Sequence, residues 1–207
     1  MSRLIGLFPT PLLRVDGFAD AALQRVLVER ALAGRAQGNS GSDELSHTEL
    51  VDPRTDAVFE SLLPALQPHL VRFGALLFAK EQPWYVKELW LNVLETGGSQ
   101  FLHTHANSFA SGILYLQQPA DASHTMFRRN SGGGEFIFRN DIPAGHFSSD
   151  TFFLDDVSAG DLVLYPSYLM HGVPPNEGAQ RITLAFNAIP DELDSLGYRI
   201  RFGPGRP

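Results

Sequence analysis

The spacing of hydrophobic positions changes once along this chain, near residue 80, and the change separates a helical part from a part made of strands. Leu23, Val26, Leu27 and Ala31 share one face of a predicted helix, with Asp20 as its N-cap and an end near Gly34. A second helical region opens at Asp52-Pro53 and carries Val58, Leu62, Leu66, Leu70 and Phe73. Pro64 and Pro68 predict a break near Leu63 with a fresh start, and Gly74 predicts a stop. Thr10 to Val15 reads as a short extended piece, and the polar run Gly38 to Glu44 as a mobile loop, because its Gly and Ser have nothing to bury.

From Trp84 the period is two. Tyr85, Lys87, Leu89, Leu91 and Val93 alternate with Trp84, Val86, Glu88, Trp90, Asn92 and Leu94, and Gly97-Gly98 is expected to turn the chain into a strand leading to His103. Further strands are expected at Ser111–Leu116, Gly134–Phe138, Asp161–Tyr165 and Arg181–Ile189. Helices followed by many short strands with Gly/Pro turns predict a mainly β sandwich or jelly roll with helices packed outside one sheet. The organisation expected is one domain over 1–207, with helical support over 1–80, a β core over 84–190, and an irregular Gly-rich segment over 120–160 as a candidate lid. A plain surface hairpin is the rival reading of that segment.

Composition narrows the classes. With 207 residues, 43% hydrophobic and 15 Phe, the chain can bury one substantial core but hardly two. A net charge of -7 excludes a duplex nucleic-acid binder, which needs a concentrated basic surface. Zero Cys removes disulfides, thiolate ligands and a cysteine nucleophile, so His and carboxylates remain as metal ligands. The apolar start is cut short by Pro9, and a cytoplasmic protein without membrane contact is expected. The apolar run Thr151–Leu154, if exposed, would suit a homodimer contact.

The chemistry concentrates in two runs. His103 and His105, at alternate positions of an extended segment, leave the same face roughly 6.5 Å apart and can address one ion, although a core histidine bonded to its neighbours is an equal reading of either alone. His171 follows a strand that ends in Tyr165-Pro166-Ser167, and could equally be an exposed turn residue. Arg181, Thr183, Ala185 and Asn187 share one strand face, with Ile182, Leu184 and Phe186 on the other. A guanidinium there is costly unless paired, and its fork suits a carboxylate, either of a ligand or of a structural ion pair. His124 and His146 read as solvent-exposed, Arg128, Arg129 and Arg139 as lid surface, and His47 and His69 as without chemistry.

Together these pieces resemble the double-stranded β-helix (jelly-roll, cupin-like) superfamily of Fe(II)/2-oxoglutarate-dependent oxygenases, and more narrowly a bacterial 2-oxoglutarate-Fe(II) oxygenase family with an H-x-H metal motif. The likeness is carried by Leu7–Pro11, Trp90-Leu91-Asn92, His103-Thr104-His105, Ser111–Leu116, Gly160–Ser167, His171-Gly172-Val173 and Arg181 to Asn187. It implies an Fe(II) dioxygenase with 2-oxoglutarate as co-substrate, hydroxylating an amino acid, peptide or small natural product. It also implies His103, His105 and His171 as metal ligands, Arg181 and Thr183 as the clamp for 2-oxoglutarate, and Asn92 and Tyr115 as further co-substrate contacts. The departure is at position 105, where the superfamily's carboxylate is His. An H-x-N pair of His105 and Asn107, a carboxylate from Glu95 or Asp121, and a zinc site stay open beside it, as do a cupin-like three-His dioxygenase without 2-oxoglutarate and a non-catalytic metal or carboxylate binder.

Overall fold

The computed structural model describes residues 2–3, 5–34, 37–38, 42–120, 123–129 and 149–203. In chain order its elements are β1 (Leu13–Val15), α1 (Ala21–Gly34), β2 (Gln37–Gly38), β3 (Ser42–His47), a 3-10 turn (Pro53–Thr55), α2 (Ala57–Glu60) and α3 (Leu63–Phe78). There follow β4 (Trp84–His103), β5 (Ala110–Tyr115), β6 (Thr125–Arg128), β7 (Thr151–Leu154), β8 (Leu162–Pro166), β9 (Met170–Val173), β10 (Arg181–Pro190), β11 (Glu192–Ser195) and β12 (Tyr198–Arg201). One curled antiparallel sheet runs β1-β8-β5-β10-β4-β9-β6-β7, with β3 added to β4 and β2 to β3. This is the double-stranded β-helix, or jelly roll, with helices on one side.

The alternation along β10 decides what lies on each side of the sheet. Ile182, Leu184 and Phe186 stand opposite Val93, Leu91 and Leu89 of β4 and pack with Leu27 and Ala31 of α1 and Leu66, Leu70 and Phe73 of α3. Burying a side chain such as Phe73 completely stabilises the fold by about 2–3 kcal/mol. Thr183, Ala185 and Asn187 face the other way, beside Asn92, Trp90 and Glu88 of β4 and Tyr115, Ile113 and Ser111 of β5. That second face, closed by β6, β7 and β9, holds the cavity.

Asp20 caps α1 as expected, its carboxylate accepting from the Leu23 N–H at 2.8 Å. Gly74 does not stop α3, which continues to Phe78 and ends on Ala79 in the left-handed conformation (φ 53°). The Trp84 indole lies so close to Gly74 that a Cβ there would sit 2.2 Å from Nε1, so this glycine serves a close approach inside a helix. Both prolines lie within α3, Pro64 in the first turn, where its missing N–H costs nothing.

Two further expectations are corrected. Gly97-Gly98 does not turn the chain; β4 continues through it to His103, with Gly97 at φ +83° and hydrogen bonds linking Gly97 and Gly98 to Asn176. β4 thereby passes from β10 on one side of the roll to β9 on the other. The Gly38 to Glu44 run is not simply a loop, because β3 begins at Ser42 and pairs with the free edge of β4, burying Leu45 against Leu94 and Val173. Pairing satisfies that backbone although the sequence there shows no apolar period. The expected strand Gly134–Phe138 and most of the candidate lid over 120–160 lie outside the described residues, as do Arg139, His146 and Asp121. Among the described residues of that segment are β6 and the edge strand β7, where Phe152 is 55% exposed. No helix among the described residues is long and apolar enough to cross a membrane.

Candidate functional site

The strand register delivers the histidines to one place. His103 ends β4 directly opposite His171 of β9, and their ring centroids are 4.3 Å apart. His105 lies just beyond β4, where its N–H donates to the Ser167 carbonyl at 3.0 Å, and its ring is 5.0 Å from each of the other two. One ligand atom from each of the three lies within 4.8 Å of the others. An irregularity in the β4·β9 pairing between Gln100 and His103 puts both on the cavity side although an odd number of positions separates them.

The rings are oriented before any metal arrives. Nδ1 of His103 lies 2.8 Å from the Phe101 carbonyl and Nδ1 of His171 lies 2.9 Å from that of Leu169, so each donates its N–H there and presents Nε2 to the centre. The Tyr165 hydroxyl, fully buried, is 3.0 Å from His171 Nε2. Burial, then the neighbouring His103, pushes His171 down to about 3; burial and His103 likewise push His105 down to about 4. Both are neutral near pH 7, the form that ligates a metal.

The other end of the cavity is built around Arg181, 5% exposed at the start of β10. Its Nη2 donates to Thr125 Oγ1 at 2.9 Å, and that oxygen also lies 2.5 Å from the Tyr115 hydroxyl. The guanidinium carbon is 5.3 Å from the centre of the Tyr115 ring. No carboxylate among the described residues pairs with Arg181, its Nε has no hydrogen-bond partner, and the Asn92 Oδ1 nearby has none either. Burial lowers its pKa, yet a guanidinium stays charged, so the cavity contains an uncompensated cation. The space between is lined by Asn92, His103, His105, Tyr165, His171, Arg181 and Thr183 among others. Three imidazole nitrogens and a waiting cation fit a divalent metal chelated by a dicarboxylate whose far end reaches Arg181.

The structure brings His103, His105, His171, Asn92, Arg181 and Thr183 to this one cavity; Tyr115 stands behind Arg181, not on the wall. Asn107 is exposed at φ 57°, and Glu95 accepts from Gln180, so neither joins the histidines. His124 is corrected: it is 6% exposed, buried before β6, not on the surface. His171 is inside β9, not in an exposed turn. Sequence reasoning missed Thr125, Gln100 and Tyr165, and only the pairing of β6 with β9 could have placed Thr125.

A family model described as "Putative 2OG-Fe(II) oxygenase" matches residues 88–187, the stretch that contains every residue of the cavity. The fold and site therefore define a double-stranded β-helix oxygenase. That match, over just under half of the chain, indicates a 2-oxoglutarate- and Fe(II)-dependent oxygenase, with Fe(II) as its metal and 2-oxoglutarate as its co-substrate. Among solved structures it is similar to HygX from Streptomyces hygroscopicus with nickel and 2-oxoglutarate bound, at 16% identity over 87% of this chain and 83% of that one, with a TM-score of 0.63. It is also similar to the non-haem α-ketoglutarate-dependent epimerase SnoN from nogalamycin biosynthesis (13%, 88% and 80%, 0.61) and to a Pseudomonas putida prolyl-4-hydroxylase (17%, 86% and 92%, 0.57). No curated protein matches the chain.

Proposed function

We propose that the chain hydroxylates a small molecule or a peptide side chain, with Fe(II) held by His103, His105 and His171 and 2-oxoglutarate held at its far carboxylate by Arg181 and Thr183. The observation that carries this reading is the buried Arg181, without an acidic partner among the described residues, in the same cavity as three converging imidazoles. A cation so placed is expensive unless an anionic ligand completes it, which disfavours a three-His centre that works without 2-oxoglutarate.

When bound, Fe(II) and 2-oxoglutarate supply dioxygen activation coupled to decarboxylation, giving succinate and carbon dioxide and oxidising a C–H bond of the substrate. The chain's residues prepare the site. Carbonyls of Phe101 and Leu169 hold the His103 and His171 rings, and the backbone bond to Ser167 holds His105. Thr125 and the face of Tyr115 fix the Arg181 fork, so that the dicarboxylate meets a formed clamp. Ile113, Val173 and Ala185 on the wall exclude water. Substrate approaches from the half-exposed His103 and His105 side, since His171 is buried.

The finer substrate class draws on the structural neighbours: HygX has been solved with hygromycin B bound and SnoN with nogalamycin RO, which supports a small natural product. Prolyl hydroxylases in the same set keep a peptide side chain or an amino acid in view. The test is anaerobic titration of Fe(II) and 2-oxoglutarate into the protein. A visible charge-transfer band that needs both components and is lost in Arg181→Leu supports the reading; a band independent of 2-oxoglutarate overturns it.

A further inference from the structure

Position 105 raises a problem of charge. With a carboxylate there, the metal, the doubly negative co-substrate and Arg181 would balance; with His105 one positive charge is left over beside the buried Arg181 and His171. Every carboxylate near the site therefore matters, and the described residues offer one on the cavity face of β4.

Glu88 stands in the same row of the sheet as Asn187, Ser111 and Tyr165, two positions along β4 from Trp90, whose ring is 5.6 Å from that of His105. Its Oε1 accepts from Asn187 Nδ2 at 2.9 Å. Asn187 Oδ1 in turn accepts from Ser111 Oγ at 2.8 Å, and Ser111 Oγ lies 2.9 Å from Ser167 Oγ. Asn187, Ser111 and Ser167 are all buried. The Ser167 carbonyl receives the His105 N–H, so this one polar chain runs from the carboxylate to the backbone that positions the histidine. Such a row of buried polar side chains behind the cavity wall is costly to assemble unless something there uses it.

We propose that Glu88 is the outer carboxylate of the metal centre, supplying through space to His105 the negative charge that a carboxylate at position 105 would otherwise bring. It is a positioning and charge-setting residue. This rests on His105 being a metal ligand, as read above. The hydrogen-bonded chain through Asn187, Ser111 and Ser167, and the Trp90 ring beside His105, tie Glu88 to the histidine. The opposing group is Lys87, whose ammonium is 2.9 Å from Glu88 Oε1. Lys87 thus tempers Glu88, and the two can be changed separately. His103 and His171, the other titratable neighbours of His105, each have a ring centroid 5.0 Å from that of His105.

The experiment measures the Fe(III)/Fe(II) midpoint potential of the iron-loaded full chain, with the anaerobic Fe(II) affinity as second readout. Glu88→Gln keeps the acceptor for Asn187 and removes the charge. It should favour Fe(II) over Fe(III) by about tenfold, a rise of about 59 mV for a one-electron couple. Lys87→Met unmasks the same carboxylate and should move the potential the other way. Opposite shifts support the proposal. Shifts in the same direction, or none in either variant, overturn it, because a merely structural role for this pair has no sign. His105→Ala separates the two levels: if it leaves Fe(II) affinity at the wild-type value, the ligand assignment fails and the inference with it. If it lowers affinity while the two charge variants leave the potential unmoved, only the inference fails.

Discussion

Ile182, Leu184 and Phe186 and their neighbours Arg181, Thr183 and Asn187 belong to one strand and are equally buried, yet they are buried for opposite reasons. The first set meets the helices and gains from leaving water. The second faces a cavity in which, among the described residues, a guanidinium lacks a counter-ion and polar atoms lack partners, so it costs stability without a ligand. A residue's burial alone does not say what it is for; what it is buried against does.

The largest expected effect that separates the faces is Phe186→Ala. It should cost about 4 kcal/mol of unfolding free energy in a urea titration, while 2-oxoglutarate affinity, measured where the variant is still folded, changes little. Arg181→Leu should do the reverse. Affinity for 2-oxoglutarate falls by two orders of magnitude or more, about 3 kcal/mol, whereas the metal-free protein keeps its stability or gains about 1 kcal/mol. A marked loss of stability in Arg181→Leu would mean that the cation has a structural partner, against the contrast drawn here.

Acid should sharpen the same contrast. The folded-state values of His105 and His171 lie near 4 and 3, below the ~6.5 of an unfolded chain, so between those limits the unfolded state binds more protons. Their contribution is neutral above about pH 6.5 and turns destabilising as pH falls through it, by about 2–3 kcal/mol for each histidine near pH 4.5 in the metal-free protein. Thermal melts of the wild type against a His105→Gln/His171→Gln double variant from pH 7.5 to 4.5 read this out; parallel curves would reject it. The smallest effect is that of Tyr165→Phe, which frees His171 Nε2 from a hydroxyl and should raise Mn(II) affinity several-fold, about 1 kcal/mol. A drop in affinity would show instead that the hydroxyl supports the bound ion.

The helix-facing side was legible because period and burial coincide there: the apolar alternation of β4 and β10 and the three-and-four spacing before residue 80 are local signals. Five of the cavity residues were legible too, in the H-x-H, the distal His and the Arg-x-Thr of β10, and Asn92 only through the family resemblance. What stayed hidden is set by pairing between distant strands. Thr125 reaches Arg181 only because β6 lies beside β9, and Glu88 looked like an ordinary polar position of an alternating strand until Asn187 was found opposite it. The turn expected at Gly97-Gly98 failed for a related reason: glycines that usually reverse a chain here let one strand bend, with Asn176 taking the backbone bonds.

The bend also couples two measurements. Asn92, in the cavity with Arg181, and His103, of the histidine cluster, are carried on the same uninterrupted strand on either side of Gly97, so the distance between them is set by the backbone between them. A side chain at Gly97, where φ is +83°, would strain that backbone and reset the distance. Under the proposed function, the length of diacid accepted would be calibrated at a residue outside the cavity wall.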